Sequence, residues 1–310
     1  MKFNKPNFWD FNKPNFLAKI LLPFTIPVII NNLLPKKNFY KKNIKTICVG
    51  NIYLGGTGKT PISIKIHKIL KKLSYKVAFI KKNYPNQKDE QILLKKNGLL
   101  FNKNTRLESL NKAIAKKINY AIFDDGLQDK NINYDITIVC FNSKYWIGNG
   151  QLIPSGPLRE KINSLKKYDA VFLNGNKSNN SHIKSLIKKK FPNIRVFEAI
   201  YMPINLNKIN IHKKYLIFSG IGNPKSFKNT LQNNKINVLK CLEYPDHYNY
   251  NNQDIKKIKK LAKKINANIL TTEKDYMRLS KNNSKNIQFL KIELQIKNEK
   301  KFVNFLKSKI

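Results

Sequence analysis

The run Gly55-Gly56-Thr57-Gly58-Lys59-Thr60 follows the apolar stretch 44–49 and precedes a segment with helical spacing of apolar residues. Residue types in this order suit the binding of phosphate. Several glycines in one turn let backbone N–H groups converge on anionic oxygens, and the following helix adds the positive end of its dipole. Lys59 has the reach for β- and γ-phosphate oxygens, and the Thr60 hydroxyl is a hard oxygen ligand suited to Mg2+. The strict phosphate-loop pattern has a further glycine five places before Gly58, where this chain has Tyr53. Leu54 stands where a second class of such loops, in partner-activated ATPases, carries a lysine. The functional reading is a nucleotide site cradled by residues 55–60; the plain alternative is a glycine-rich turn with a solvated lysine.

Other residues extend the same chemistry. Asp124 and Asp125 close the apolar strand 120–123, as the metal-side carboxylate of such a site does, and one of them would hold Mg2+ opposite Thr60. Gln128 follows, with an amide able to orient a phosphate, a water or a sugar hydroxyl. The segment from Gly148 to Glu160 holds too many glycines and prolines for a casual connection, and Arg159 near its end is a candidate cation for a phosphate or a transition state. Two further segments, Gly220-Ile221-Gly222-Asn223-Pro224 and Tyr244-Pro245-Asp246-His247-Tyr248, follow strands later in the chain. They could face the nucleotide across a cleft.

The elements that must position these residues alternate. Strands are expected at 44–49, 75–80, 120–123, 134–141 and 170–173, with helices over 61–73, 107–118 and before 191. Such alternation predicts an α/β fold with a parallel sheet covered on both faces, and ligands of such sheets bind outside the carboxyl ends of the strands. The pattern restarts at Tyr215 with strands at 215–219, 236–242 and 269–271 and helices from Pro224 and over 254–265. The expected organisation is an apolar N-terminal segment over 1–34, a phosphate-loop domain over 35–194, a linker over 195–212 and a second, smaller α/β domain over 213–310.

Composition narrows the class. The 310 residues include 60 Lys and Arg against 18 Asp and Glu, a formal net charge of +42, with 41% hydrophobic residues. A chain this long and apolar buries a substantial core. Its lysines are spread along the whole length, and no nucleic-acid motif with interleaved aromatics stands out, so no nucleic-acid partner is expected. A basic surface also suits anionic lipid headgroups. Cys48, Cys140 and Cys241 are isolated from one another, which argues against disulfides and zinc. The stretch 17–35 is apolar but holds Lys19, Pro23, Pro27, Asn31 and Asn32, a poor spanning helix. With Phe3, Phe8, Trp9, Phe11 and Phe16 before it, it reads either as an interfacial membrane-docking segment or as a helix packed on the protein's own core.

The ordered series VGNIYLGGTGKTP, FDDGLQ, GNGQLIPSGPLRE, GIGNP, YPDH and LTTEKD resembles the tetraacyldisaccharide 4'-kinase family across most of the chain. The family's loop also lacks the first glycine of the strict pattern. The resemblance implies a P-loop fold and transfer of the ATP γ-phosphoryl group to the 4'-hydroxyl of a tetraacylated glucosamine disaccharide 1-phosphate, a step of lipid A biosynthesis. It implies Mg2+, and a peripheral or monotopic enzyme at the cytoplasmic face of the inner membrane. By motif, Lys59 and Thr60 belong to the phosphate loop, and Asp124, Asp125 and Gln128 to the metal-side element. Asp89-Glu90 matches the acidic pair after the second strand, with Asp89 the base-side carboxylate supported by His247, and Glu90 on the substrate side. Arg106 and Arg159 become candidates for headgroup or phosphate contacts. Asp89 is expected on the nucleotide domain and His247 on the second, so that only closure would join them. Two positions depart from the family: Lys82-Asn83-Tyr84-Pro85 stands where Arg-Gly-Tyr-Gly is usual, and Asp129 where a histidine is usual. The rival readings are a P-loop kinase or ATPase for another substrate, a nucleic-acid-binding protein and a catalytically dead homologue.

Overall fold

Alternation of fully buried strands with amphipathic helices produces two separate sheets, parallel except at the 292–296 edge strand, which runs antiparallel to its neighbour, in the computed structural model, which describes residues 5–35, 44–84, 88–175 and 180–309. Phe3 and Pro85, invoked above, lie outside the described residues. In chain order the elements are α1 (Phe16–Ile20), α2 (Ile26–Leu33), β1 (Lys45–Gly50), α3 (Lys59–Lys72), β2 (Val77–Ile80), α4 (Lys88–Asn97), β3 (Leu99–Phe101), α5 (Arg106–Ala115), β4 (Tyr120–Asp124), β5 (Ile136–Asn142), β6 (Ala170–Asn174), α6 (Ser181–Lys190) and β7 (Arg195–Pro203). They continue with β8 (Lys214–Ser219), α7 (Pro224–Asn233), β9 (Asn237–Glu243), α8 (Asn252–Lys264), β10 (Asn268–Thr272), α9 (Glu273–Tyr276), β11 (Ile287–Leu290), β12 (Ile292–Ile296) and α10 (Glu299–Lys309). The chain divides into two compact units, one of Met1–Asn83, Leu94–Ile200 and Leu294–Ile310, the other of Tyr84–Leu93 and Tyr201–Glu293.

The larger sheet has the order β12-β7-β6-β5-β1-β4-β2-β3. At its centre β1 runs parallel to both β4 and β5, with Val49 opposite Asp124. Strands covered on both faces read as continuous apolar runs rather than alternating ones, and Ile47, Cys48 and Val49 are all fully buried. Helix α3 turns Ile62, Ile66, Ile69 and Leu70 inward at helical spacing, which seats its N-terminus beyond the end of β1. These elements carry the phosphate-binding run to the carboxyl edge of the sheet, as expected.

Two boundaries differ from the sequence reading. Residues 195–203 are no linker: β7 pairs parallel with β6 because Phe197 and Ala199 are buried in the larger sheet. Nor does the second domain run to the C-terminus. Residues 294–310 return to the first unit, where Phe302 packs edge-on against Phe172 and Phe197 at 4.9 and 5.0 Å between ring centroids.

The second unit is a parallel sheet in the order β11-β10-β8-β9. Alternate residues of β8 supply two cores, Tyr215 and Ile217 with Phe227 and Leu231 on one face, Leu216 and Phe218 with Ile255 and Ile258 on the other. A reciprocal capping box between Asn251 and Asp254 starts α8.

Both tryptophans, Trp9 and Trp146, belong to the first unit, so their fluorescence reports its unfolding. Phe302→Ala should destabilise the transition they report by about 3–5 kcal/mol, the usual cost of emptying a large aromatic site in a core. Urea melts followed by tryptophan emission check this; an unmoved midpoint would return the C-terminal helix to the second unit.

Candidate active site

The phosphate loop is built by backbone conformation first. Gly58 sits at φ +83° as the residue that caps α3, and Gly55 at φ +140°, both costly for any residue with a Cβ. Side chains beneath the loop fix its path. Asn51 donates to the Gly55 carbonyl at 3.2 Å and to the Thr57 hydroxyl at 3.1 Å, while Asn174, at the end of β6, donates to the Thr57 carbonyl at 2.6 Å. Tyr53 accounts for the absent glycine. It is buried, its hydroxyl donates to Asp10 at 2.6 Å, and Lys5 contacts both, so a large side chain ties the loop to the N-terminal segment where the strict pattern has none.

The aspartates diverge. Asp124 is fully buried; one oxygen accepts the Thr60 hydroxyl at 3.1 Å and the Lys81 ammonium at 2.7 Å, the other the Ser63 hydroxyl at 3.1 Å. Asp125 adopts φ +64°, which turns its carboxylate away to Arg159 at 3.1 Å and Lys59 at 3.8 Å. Burial works to raise the Asp125 pKa, but the nearby cations Lys59, Arg159, Lys81 and Arg106 hold it below the ordinary carboxylate value. Thr60 and Asp124 thus bring together two hard oxygens that could hold Mg2+, while Asp125 pairs with Lys59 and Arg159.

A further chain of contacts holds Arg159. Its backbone N–H donates to the Ile52 carbonyl at 2.7 Å, and its guanidinium also donates to Gln128 Oε1 at 3.0 Å. Gln128 in turn donates to the Asn51 carbonyl and to Glu160, whose two oxygens both accept the Tyr168 hydroxyl at 2.8 Å. The Gln128 amide is therefore engaged on both sides by the protein, which lets it orient Arg159. Arg106 is buried, paired with Asp129 at 3.2 Å and bonded to the Asp125 carbonyl. An acidic Asp129 in place of histidine gives this arginine a carboxylate partner.

In the second unit, Asp89 lies in the first turn of α4 and is bonded to two basic side chains. His247 Nδ1 is 3.0 Å from Oδ1, and Arg278 donates to Oδ2 at 2.8 Å. The sequence reading placed Asp89 on the nucleotide domain, apart from His247; residues 84–93 belong instead with the second sheet, so the two meet within one unit. Arg278 also donates to the Gly220 carbonyl at 2.7 Å and to Asp275 at 3.0 Å, and Asp275 further accepts the Gly220 N–H and the Tyr250 hydroxyl. His247, at φ +59°, donates its N–H to the Gly220 carbonyl, so the GIGNP, YPDH and LTTEKD segments meet around His247 and Arg278, the partners of Asp89. Glu90 is half-buried beside Asp89 in that turn.

A family model described as tetraacyldisaccharide-1-P 4'-kinase matches residues 17–310. The chain belongs to this family. It is 52% identical over 307 residues to the tetraacyldisaccharide 4'-kinase of Pelagibacter ubique, covering 99% of this chain and 98% of that one. It is 35% identical over 330 residues to that of Rickettsia canadensis, covering 100% and 97%. The fold is similar to that of Aquifex aeolicus LpxK, crystallised in complex with ATP, with a TM-score of 0.66 at 20% identity over 95% of this chain and 96% of that one. The P-loop kinase reading, made from motifs alone, therefore stands, and this chain is a kinase of the tetraacyldisaccharide family.

Sequence reasoning missed Lys81, Glu160, Tyr168, Asp275 and Arg278. Two had a legible signal: Arg278 lies one helical turn beyond Asp275 of LTTEKD, and Glu160 ends the constrained loop. Burial works to raise the Asp89 pKa, but hydrogen bonds from His247 and Arg278 hold it well below the carboxylate range. Chiefly through its hydrogen bond with Asp89, His247 is raised above its ordinary 6.5, against burial. The Asp89 contribution to stability is present above pH 3.8 and lost as pH falls through its depressed value; that of His247 is present below pH 6.5 and lost as pH rises through its raised value. Both act together between those limits. In Asp89→Asn, imidazole NMR titration should find His247 below its wild-type pKa, since burial and Arg278 then act unopposed by the carboxylate; an unchanged titration would show that Asp89 does not set it.

Proposed function

We propose that the first unit binds Mg·ATP on Gly55, Gly56, Thr57, Gly58, Lys59 and Thr60, and that the γ-phosphoryl group passes to the 4'-hydroxyl of a tetraacylated glucosamine disaccharide 1-phosphate. What carries this reading is the 3.1 Å contact between Thr60 and Asp124, the hydroxyl and the carboxylate of a phosphate-loop metal site, within a chain of this kinase family. Thr60 and Asp124 would hold the Mg2+, which when bound neutralises charge on the phosphate oxygens. Lys59 extends from the same turn to the γ-phosphate. Arg159, oriented by Gln128 and the Ile52 carbonyl, is the cation for charge that develops in transfer. Asp89 accepts the proton of the sugar hydroxyl, with His247 and Arg278 fixing its orientation. A strongly acidic carboxylate is a weak base at equilibrium, and in phosphoryl transfer the proton leaves late, so position matters more than basicity.

The acylated substrate favours work at a lipid surface, which fits a peripheral or monotopic place at the cytoplasmic face of the inner membrane. No helix among the described residues is long and apolar enough to cross a membrane. The N-terminal segment divides into two faces. Trp9, Ala18 and Thr25 are buried, with Trp9 Nε1 donating to the Pro154 carbonyl at 3.0 Å and Ser155 to the Ala18 carbonyl at 2.6 Å. Phe16, Phe24 and Leu33 are 76%, 65% and 77% exposed on the other. The buried face supports the reading of a segment packed on the protein's own core, and the exposed apolar face with its basic surroundings supports the docking of that segment on anionic lipid.

Three experiments test this reading. With labelled ATP, Mg2+ and the acylated disaccharide 1-phosphate, the protein should transfer label, and Lys59→Met should lower kcat by roughly 10²–10³, as for loss of one preorganised donor to a transition state; near-normal turnover would remove Lys59 from the mechanism. Because Asp89 and His247 touch, the double variant Asp89→Asn/His247→Ala should lose little more kcat/KM than the worse single one; multiplicative losses would mean separate roles. Replacing Phe16, Phe24 and Leu33 by serine should weaken sedimentation with anionic vesicles by about tenfold or more per side chain that enters the bilayer, with the thermal midpoint unchanged. Undiminished sedimentation would assign binding to charge alone.

A further inference from the structure

Lys81 directly follows β2 and is 1% exposed. Lysine is almost never buried so fully unless paired. Its ammonium meets the same Asp124 oxygen that accepts the Thr60 hydroxyl, at 2.7 and 3.1 Å. That oxygen is the one a divalent cation between Thr60 and Asp124 would use. An ammonium and a magnesium ion on one carboxylate oxygen repel each other, so the better one is bound, the weaker the hold on the other. Ser63 fixes the second oxygen at 3.1 Å, which keeps Asp124 from rotating to offer a fresh lone pair. The carboxylate is thus neutralised and locked in direction by the protein alone.

We propose that Lys81 is a positioning residue of the nucleotide site: it aims Asp124 at Thr60 and, by competing for that oxygen, makes magnesium capture depend on the nucleotide's own phosphates. This deepens the reading of residues 55–60 as an ATP site and rests on it. Magnesium alone binds poorly, because Asp124 already has its counter-charge; magnesium carried on ATP brings additional oxygens and succeeds. Lys81→Met, which keeps an unbranched side chain one atom shorter and removes the charge, frees the carboxylate for the metal.

The test titrates Mg2+ against the full-length protein, reading both a fluorescent ATP analogue and the thermal midpoint. The wild type should bind the analogue in a magnesium-dependent way, and its midpoint without nucleotide should not respond to millimolar Mg2+. In Lys81→Met the Mg2+ concentration for half-maximal nucleotide binding should fall by about tenfold, the effect of one fewer full charge at the oxygen, and Mg2+ alone should raise the midpoint. Lys81→Arg, which keeps the charge, should retain the wild-type requirement. Should the methionine variant not fold, Lys81→Gln, which keeps a donor to Asp124, is read in the same way. An unchanged or higher Mg2+ requirement in the neutral variant overturns the proposal while leaving the ATP site standing. Absence of nucleotide binding by the wild type overturns the ATP site, and the proposal with it.

Discussion

A fully buried carboxylate at the end of a central strand must be neutralised, and much of the first unit is arranged around meeting that demand at Asp124. Parallel pairing puts Val49 of β1 beside Asp124 of β4, so the strand that feeds the phosphate loop ends where the charge sits. Helix α3 then supplies two hydroxyls, Thr60 and Ser63, from one turn, and the residue that follows β2 is Lys81. Asp125, next in the chain, escapes the same crowding through a left-handed backbone and gathers Lys59 and Arg159 instead. Adjacent acids thereby take different partners, one the Thr60 and Ser63 hydroxyls with Lys81, the other Lys59 and Arg159.

Catalytic side chains on loops need rigid support, and here the support comes from polar contacts laid beneath them. The backbones of Leu54 and Arg159 bond to Pro157 and Ile52, joining the phosphate loop to the segment 148–160. Gly148, at φ +58°, allows that segment to pass the Trp9 carbonyl, which a Cβ would meet at 2.1 Å. The apolar N-terminus is fastened to the same segment through Trp9, Ala18 and Asn32. An exposed apolar surface and Arg159 are consequently carried by one continuous structure. In the second unit the Arg278 guanidinium has the corresponding part, bridging Asp89, Asp275 and the Gly220 carbonyl.

The alternating apolar runs made the α/β class and most strands of the first unit legible, because buried parallel strands have no polar face to confuse the pattern. The phosphate loop was legible for the same reason that it works: glycine, lysine and threonine each have a narrow physical use there. Chain crossings were not legible. Nothing local in residues 195–203 distinguishes a linker from an edge-side strand, and only the burial of Phe197 against Phe172 and Phe302 decides it. Asp89 was identified but assigned to the wrong unit, since membership depends on contacts more than 150 positions away. Arg106 and Gln128 had the chemistry of substrate contacts, and their contacts with Asp129, Asn51, Glu160 and Arg159 had no local signal. Lys81 was hidden by composition: in a chain with 60 basic residues, one lysine after a strand carries no signal until its burial is known.

If the Asp124 carboxylate is needed for the metal and its pairing with Lys81 is what makes its burial tolerable, the two roles separate in Asp124→Asn/Lys81→Met. Removing both charges spares the protein an unpaired buried ion, a defect that costs about 3–5 kcal/mol when one partner alone is lost. The decisive measurement is calorimetric titration of this double variant with ATP, in Mg2+ and in EDTA, on protein whose tryptophan-reported unfolding matches wild type. The account predicts a folded protein for which Mg2+ no longer strengthens ATP binding; magnesium-dependent strengthening equal to that of the wild type would contradict it.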